Sequence, residues 1–491
     1  MASLSHIELD PASDTPLYKQ LAESIRSLVQ NGAIGPGERL PATRALADRL
    51  GLNRTTISSA YAMLEESGLL EGHVGRGSFV AGNFQTADPK KMDWDAFLPP
   101  LGPLPHAAPG IEISFASSRP AEDEFPLAQF RRLSKAVIDG PDAADILQLG
   151  SPHGYLPLRR FLQSQAAASG IARSGDDLMV TNGCQQALDL LAWLLISDKQ
   201  VAAVEDPVYH GLLRVFRRAG AQIVPVPVDG AGMDIDALEE VVEKHRPRVL
   251  VVTPSFQNPT GVTLPLERRK RIVEIAQRSG VVLVENDIYS DLRYRGKALP
   301  TLKELDASGQ TILLRSYSKV SFPGLRVGWV IAPRPVVARL ADIKQVSDLH
   351  SDQLSQAILL RFAESGELER HLERTRRAGL ERLIAVTRAC ERYLPAGARF
   401  SRPDGGMNLW IELPAPLRAR ELLGSAQERG VDFLPGPYFS ESGTHEHGLR
   451  ISFGGLPPEQ IERGIQIIGA AATELVSTRG SVDMEPAAAL V

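Results

Sequence analysis

The stretch VLVVTPSFQNPTGVTLPLERRKRIVEIAQRSGVVLV (249–284) decides the fold. Residues 249–252 and 281–284 are short, β-rich apolar runs bounded by polar and turn-forming residues. Residues 264–277, between them, repeat as an amphipathic helix. Working outward, runs at 201–204, 223–228 and 312–314 continue the alternation of strand and helix. Such alternation implies an α/β core with a mostly parallel sheet. A short apolar segment at 111–115 opens this large domain, which extends over 113–475. Its last part is more α+β in character, with strand candidates at 407–413 and 449–453.

Upstream, residues 12–82 read as a separate domain of three helices and a two-stranded wing. Leu17, Leu21, Ile25 and Leu28 recur at helical spacing, and Gly32, Gly35, Pro36 and Gly37 break that helix. Thr43 is the expected N-cap of a second helix ending at Gly51, and Asn53 caps a third that Gly68 stops. Residues 69–72 and 77–80 flank a glycine-rich tip, as in a hairpin. Residues 83–112 carry six prolines and little periodicity, which suits a semi-rigid linker. The small, acidic tail, 476–491, is expected to be disordered.

The chain has 491 residues, 43% of them hydrophobic and 23% charged, with a net charge of −5. That length can bury large cores without staples. An acidic balance gives no general affinity for nucleic acid, so any DNA-binding surface must be local. Cys184 and Cys390 form neither a metal spacing nor a disulfide framework. The N-terminal MASLSHIELDPASDTP has no apolar run and does not read as a signal peptide. No stretch is apolar for long enough to span a membrane. A cytoplasmic location is the expectation.

The segment LPATRALADRLGLNRTTISSAYAMLEESGLLEGHVGRGSFVAG (40–82) resembles the GntR-type winged helix-turn-helix. In such a motif the second helix enters the major groove of double-stranded operator DNA. Its first residues, Asn53, Arg54, Thr55 and Thr56, would lie nearest the bases and phosphates, and arginine can pair bidentately with guanine. Arg39, Arg44 and Arg49 add local positive charge. Gly75 would let the wing approach the DNA backbone, and Arg76 could enter the minor groove. Arg44, Arg54, Thr55 and Gly75 match positions that touch DNA in that family.

SYSKVSFPGLRVGW (316–329) resembles the lysine segment of fold-type I aminotransferases, which bind pyridoxal 5'-phosphate. The resemblance implies that Lys319 forms the Schiff base and that Ser316 and Arg326 bind the phosphate, a task suited to a guanidinium fork and a hydroxyl. TNGCQQAL (181–188) resembles the glycine turn before the phosphate-binding helix, with Cys184 and Gln185 at contact positions. Cys184 reads as a small filler rather than a nucleophile. In EDPVYHG (205–211) Tyr209 takes the place of the aromatic that stacks on the pyridine ring. In PSFQNPTG (254–261) Asn258 takes that of the amide bonded to the ring's phenolic oxygen.

VENDIYSDLRY (284–294) departs from the pattern. The family has an aspartate three residues before the tyrosine, here Tyr289, and that acid keeps the pyridine nitrogen protonated. Counting back gives Asn286, with Asp287 one place later and, on a strand, on the opposite face. Either a local shift lets Asp287 reach the nitrogen, or Asn286 is a neutral partner that weakens carbanion chemistry. Arg450, in GLRISFGG (448–455), matches the residue that pairs with a substrate carboxylate. Gly154 and Tyr155, in LQLGSPHGYLPLR (147–159), fall in a segment that contacts ligand in that family.

Together the two resemblances are those of the MocR-type subfamily of GntR regulators. They imply a winged helix-turn-helix joined to a fold-type I transferase-like large domain with an α+β small domain. They also imply a homodimer that binds pyridoxal phosphate, with an amine, an amino acid or the cofactor itself as effector. The rival expectation is a working aminotransferase carrying an appended DNA-binding domain.

Overall fold

Leu21, Ala22, Ile25 and Val29 lie along one buried face of helix α1 (Leu17–Gln30), so the helical spacing read at this point becomes the core of a small domain. The computed structural model describes residues 7, 9–11, 13, 15–30, 32–73, 77–82, 92, 94–98, 109–197 and 199–482. The chain divides into two units, 1–104 and 105–491. In the first, α2 (Thr43–Leu50) stops at Gly51, whose φ of 67° is left-handed. Helix α3 (Arg54–Glu66) starts at Asn53, whose side chain accepts from the Thr55 backbone N–H at 3.2 Å. The expected cap at Thr43 is not made. Ala42 keeps an extended backbone, Thr43 is already helical, and no side chain caps that end. Strands β1 (Leu70–His73) and β2 (Gly77–Val80) pair antiparallel. The expected wing tip, with Gly75 and Arg76, lies outside the described residues.

The larger unit opens on β3 (Ile113–Ser114). Eight strands follow in one sheet: β4 (Asp176–Thr181), β5 (Val201–Asp206), β6 (Gln222–Asp229), β7 (Gly232–Met233), β8 (Val249–Val252), β9 (Val282–Asn286), β10 (Thr311–Ser316) and β11 (Gly328–Pro333). Their order in space is β4-β11-β10-β9-β8-β5-β6-β7. The central run from β10 to β6 is parallel, and β11 is antiparallel to both its neighbours. The pleat divides the quoted Val-Leu-Val-Val run between two layers. Val249 and Val251 pack towards helix Cys184–Leu195, while Leu250 and Val252 pack towards helix Leu266–Ser279. Burial on both faces explains why these strands read as continuous apolar runs. The helix expected over 264–277 begins two residues later, because Pro265 stands at its N-cap in an extended conformation.

A four-stranded sheet follows, made of β12 (Arg399–Phe400), β13 (Asn408–Glu412), β15 (Leu434–Pro435) and β16 (Gly448–Ser452), while β14 (Val431–Asp432) pairs parallel with β3. Helices Glu367–Tyr393, Ala419–Gln427 and Pro458–Val482 accompany it, and residues from all three pack with β13 and β16 in one core. Two expectations change. The last helix runs to Val482, so the segment after 475 continues as helix, with Leu475 packed on the core that holds Ala471 and Ala472. The linker contains a short helix, Trp94–Phe97.

Glu205 on β5 is 1% exposed. Burial pushes its carboxyl up to about 8, against the opposing bonds from the Thr253 N–H and Gln257 Nε2. Between the ordinary carboxylate range and about 8, the folded chain therefore holds a proton that the unfolded chain has lost. Stability falls as pH rises through that window and levels off above it. Glu205→Gln should flatten this slope, leaving the variant close to wild type in acid and more stable than it at alkaline pH in chemical unfolding. Parallel pH profiles for the two proteins would contradict the assignment.

Candidate active site

Parallel strands direct their carboxyl ends to one edge, where ligands of open α/β sheets bind. Here the turns after β4, β5, β8, β9 and β10 converge on a cavity of about 310 Å³ that also meets Arg450 of β16. Lys319 lies in the turn after β10. Its Nζ donates to the Ser118 carbonyl and lies 5.8 Å from the centre of the Tyr289 ring. The Tyr289 hydroxyl is 3.3 Å from Ser118 Oγ and 3.5 Å from Asn258 Nδ2. Burial pushes this phenol up, but the Lys319 charge, the Ser118 bond and the Arg450 charge outweigh it and hold the phenol below its ordinary value.

Arg450 is 2% exposed and forms no ion pair among the described residues. Its Nη1 donates to Asn258 Oδ1 at 3.2 Å and its Nη2 to the Ala116 carbonyl, while Nε has no partner. Burial brings the guanidinium down to about 10.

The N-terminus of helix Cys184–Leu195 forms another wall. Gly183 precedes it with φ of 78°, and a Cβ there would stand 2.5 Å from Arg326 Nη2. Arg326 itself is left-handed, with φ of 55°, and its Nη2 donates to the Asn182 carbonyl at 3.3 Å. The Pro323-Gly324 turn thus brings Arg326 to the cavity that holds Lys319. Gln185 leaves Oε1 buried without a partner. Cys184 Sγ donates to the Arg315 carbonyl at 3.3 Å, and burial pushes its thiol up to about 12, which makes it a poor nucleophile. Ser316 Oγ donates to the Val327 carbonyl at 2.9 Å. Tyr209 lines the cavity, and burial raises its phenol.

Asn286 ends β9, is 5% exposed, lines this cavity and leaves Oδ1 without a partner. Asp287 takes the other side. Its Oδ2 accepts from Arg315 Nε at 3.0 Å, Arg315 Nη2 at 2.7 Å and Ser290 Oγ at 2.8 Å, beside a separate cavity of about 740 Å³. Gly154 and Tyr155 are not brought to the wall of the Lys319 cavity. Gly154 has φ of 100° and no room for a Cβ, which would lie 2.6 Å from Val180 Cβ. The Tyr155 N–H donates to Gln356 Oε1 at 2.8 Å, and its side chain packs against the cluster of Val137, Ile146, Ala357 and Ile358. Sequence reasoning missed Ser118, Ser318 and His210, all on the wall. Ser318 and His210 adjoin quoted motif residues and so could have been found, whereas nothing local marks Ser118.

The model of the aminotransferase class I and II family matches residues 113–468, and that of the gntR family of bacterial regulatory proteins matches 17–80. The chain belongs to the class I and II aminotransferase family. It is similar to 2-aminoadipate transaminase of Thermus thermophilus, with 37% identity over 75% of this chain and 92% of that one. It is similar along 98% of both chains, at 29% identity, to the probable rhizopine catabolism regulatory protein MocR of Rhizobium meliloti. Among solved structures it resembles LysN, the α-aminoadipate aminotransferase of Thermus thermophilus, complexed with N-(5'-phosphopyridoxyl)-L-leucine. The TM-score is 0.71, with 37% identity over 75% of this chain and 94% of that one.

This family member is therefore a GntR-type DNA-binding regulator of the MocR kind, fused to an aminotransferase-like domain whose cofactor is pyridoxal phosphate. In its gntR unit, Arg44, Asn53, Arg54 and Thr55 are exposed and Thr56 is half-buried, at or near the starts of α2 and α3. Arg44, Arg49 and Arg54 form no ion pairs among the described residues. Among the described residues no helix is long and apolar enough to cross a membrane.

The fit of Gly183 against Arg326 generates a test. Gly183→Ala should push the guanidinium out of place and weaken cofactor uptake at least about tenfold, by analogy with the loss of a charge-assisted bond. Titration followed by visible absorbance reads the affinity, and circular dichroism checks the fold. Unchanged uptake would show that this close contact does not matter for binding.

Proposed function

We propose that the chain senses an amine or amino acid in its aminotransferase-like domain and reports it through operator binding by the gntR unit, acting in the cytoplasm where DNA is reached. The observation that carries this reading is that one cavity gathers Lys319, Arg326, Arg450, Asn258 and Tyr289. The residues fit the cofactor. Its phosphate suits the helix N-terminus at Cys184 and Gln185, with Arg326 and Ser316. Gln185 Oε1, Asn286 Oδ1 and Arg450 Nε are buried polar atoms awaiting partners. Bound cofactor supplies an aldehyde that joins reversibly to amines and a ring that accepts electrons.

This chain's own residues do the rest. Lys319 offers the amine that tethers the cofactor. Tyr209 gives the ring a flat apolar face. Asn258 and Tyr289 direct polar groups to one side of the cavity, where the Lys319 and Arg450 charges hold the Tyr289 phenol below its ordinary value. Arg450 holds an effector carboxylate, since a buried guanidinium without an acid partner has its strongest bonds still to make. The effector shifts operator affinity only by binding one arrangement of the protein more tightly than another. A second copy is expected as partner. Leu147 and Leu149, two residues apart, are 68% and 73% exposed, which suits burial against a subunit. Two readers would then meet two DNA half-sites. The rival reading, a turning-over transaminase, draws on the likeness to 2-aminoadipate transaminase.

Two substitutions separate the functions. Lys319→Ala should abolish the visible band of lysine-bound cofactor while leaving DNA binding measurable. Arg54→Ala should weaken operator binding roughly ten- to a hundredfold, about 1–3 kcal/mol, with cofactor uptake unchanged. Candidate amines that alter the cofactor spectrum but never operator affinity would refute sensing, and repeated turnover with keto acids would establish the rival.

A further inference from the structure

The wall of the Lys319 cavity has three cations, Lys319, Arg326 and Arg450, and no carboxylate among the described residues. His210 adds no charge at neutral pH, because burial brings its imidazole down to about 4. The remaining titratable groups there are the phenols of Tyr209 and Tyr289 and the Cys184 thiol. The acid next to Asn286 in sequence, Asp287, is turned through the pleat of the sheet, and its Oδ2 accepts from Arg315 and Ser290. The Asp287 side chain is 1% exposed, and freeing it would strand the Arg315 guanidinium, itself only 24% exposed. Asn286 alone of this pair presents a polar atom to the cavity, and that atom is buried and unpartnered.

We propose that Asn286 is the partner of the cofactor's ring nitrogen and leaves that nitrogen unprotonated. This rests on the cofactor-binding reading given above. A carboxylate can only accept a hydrogen bond and stabilises a proton on the nitrogen by charge. An amide carries no charge, and a half-turn of its side chain presents Nδ2–H as a donor to a bare nitrogen. With Lys319 tethering the cofactor and Arg326 paired with its phosphate, Arg450 is the remaining cation on the wall, and a like charge nearby disfavours the protonated ring. Asn286 therefore withholds the charge that would draw electrons into the ring, and a bound amine keeps its carbon-bound proton. The domain binds amines without consuming them.

The test uses the full chain loaded with cofactor carrying 15N at the ring nitrogen, loading being followed by the visible band. The wild-type 15N shift should be that of an unprotonated pyridine. Asn286→Asp should move it to the protonated value and speed conversion of the cofactor to its amino form by an added amino acid at least about tenfold, the equivalent of one pKa unit. A protonated shift in loaded wild type, or a shift indifferent to Asn286→Asp but moved by Asp287→Asn, overturns the proposal while leaving cofactor binding intact. Should the aspartate variant not fold, the wild-type spectrum still decides. A chain that never loads refutes the underlying reading instead.

Discussion

Arg450 is a buried cation without a carboxylate, and much of the site is arranged around that constraint. Removing a guanidinium from water is costly unless its donors are met. Here the Ala116 carbonyl and Asn258 Oδ1 meet two of them. The same short strap after β3 supplies the Ser118 carbonyl to Lys319 and the Ser118 hydroxyl to Tyr289. Residues 116–118 thus tie together a strand of the small sheet, the lysine turn and the tyrosine after β9. The strap is itself fixed where the Phe115 N–H donates to the Asp432 carbonyl at 2.7 Å and β3 pairs with β14. The geometry of the cations therefore depends on a pairing of two-residue strands far from either motif.

The parallel sheet was legible because a strand buried on both faces must be apolar throughout, as residues 249–252 are. The motifs also placed Lys319, Arg326 and Asn258 at one site, because each follows a strand whose carboxyl end is set by the βα alternation. What failed to read was non-local. Ser118 meets Lys319 across 201 residues of sequence, with no pattern near Ser118 to announce it. Gly154 and Tyr155 carry motif character, yet within one chain they serve packing against Val180 and Gln356. Thr43 looked like a cap because capping residues at a helix start are common. The extended backbone at Ala42 that decides the matter leaves no mark in composition.

The choice between Asn286 and Asp287 lies between these cases. Spacing from Tyr289 pointed to Asn286, while chemistry pointed to Asp287. Two neighbours at the end of a strand cannot both face one cavity. Arg315 breaks the tie. Lying on the adjacent strand, it takes both terms of a charge-assisted pair with Asp287, and the acid is committed away from the site.

That commitment bears on what a DNA-binding chain can do with this cofactor. A regulator must report how much effector is present, so it must release the effector as it found it. A ring made strongly electron-accepting would convert the effector and leave the cofactor in its amino form, erasing the signal that binding created. On the proposed reading, Lys319 and Arg450 preserve recognition of an amine and its carboxylate. Placing an amide where an acid would drive chemistry separates that recognition from turnover. On that proposal the residues that bind and the residue that would activate are independent parts, so a single side chain is enough to shift the balance from catalyst to sensor.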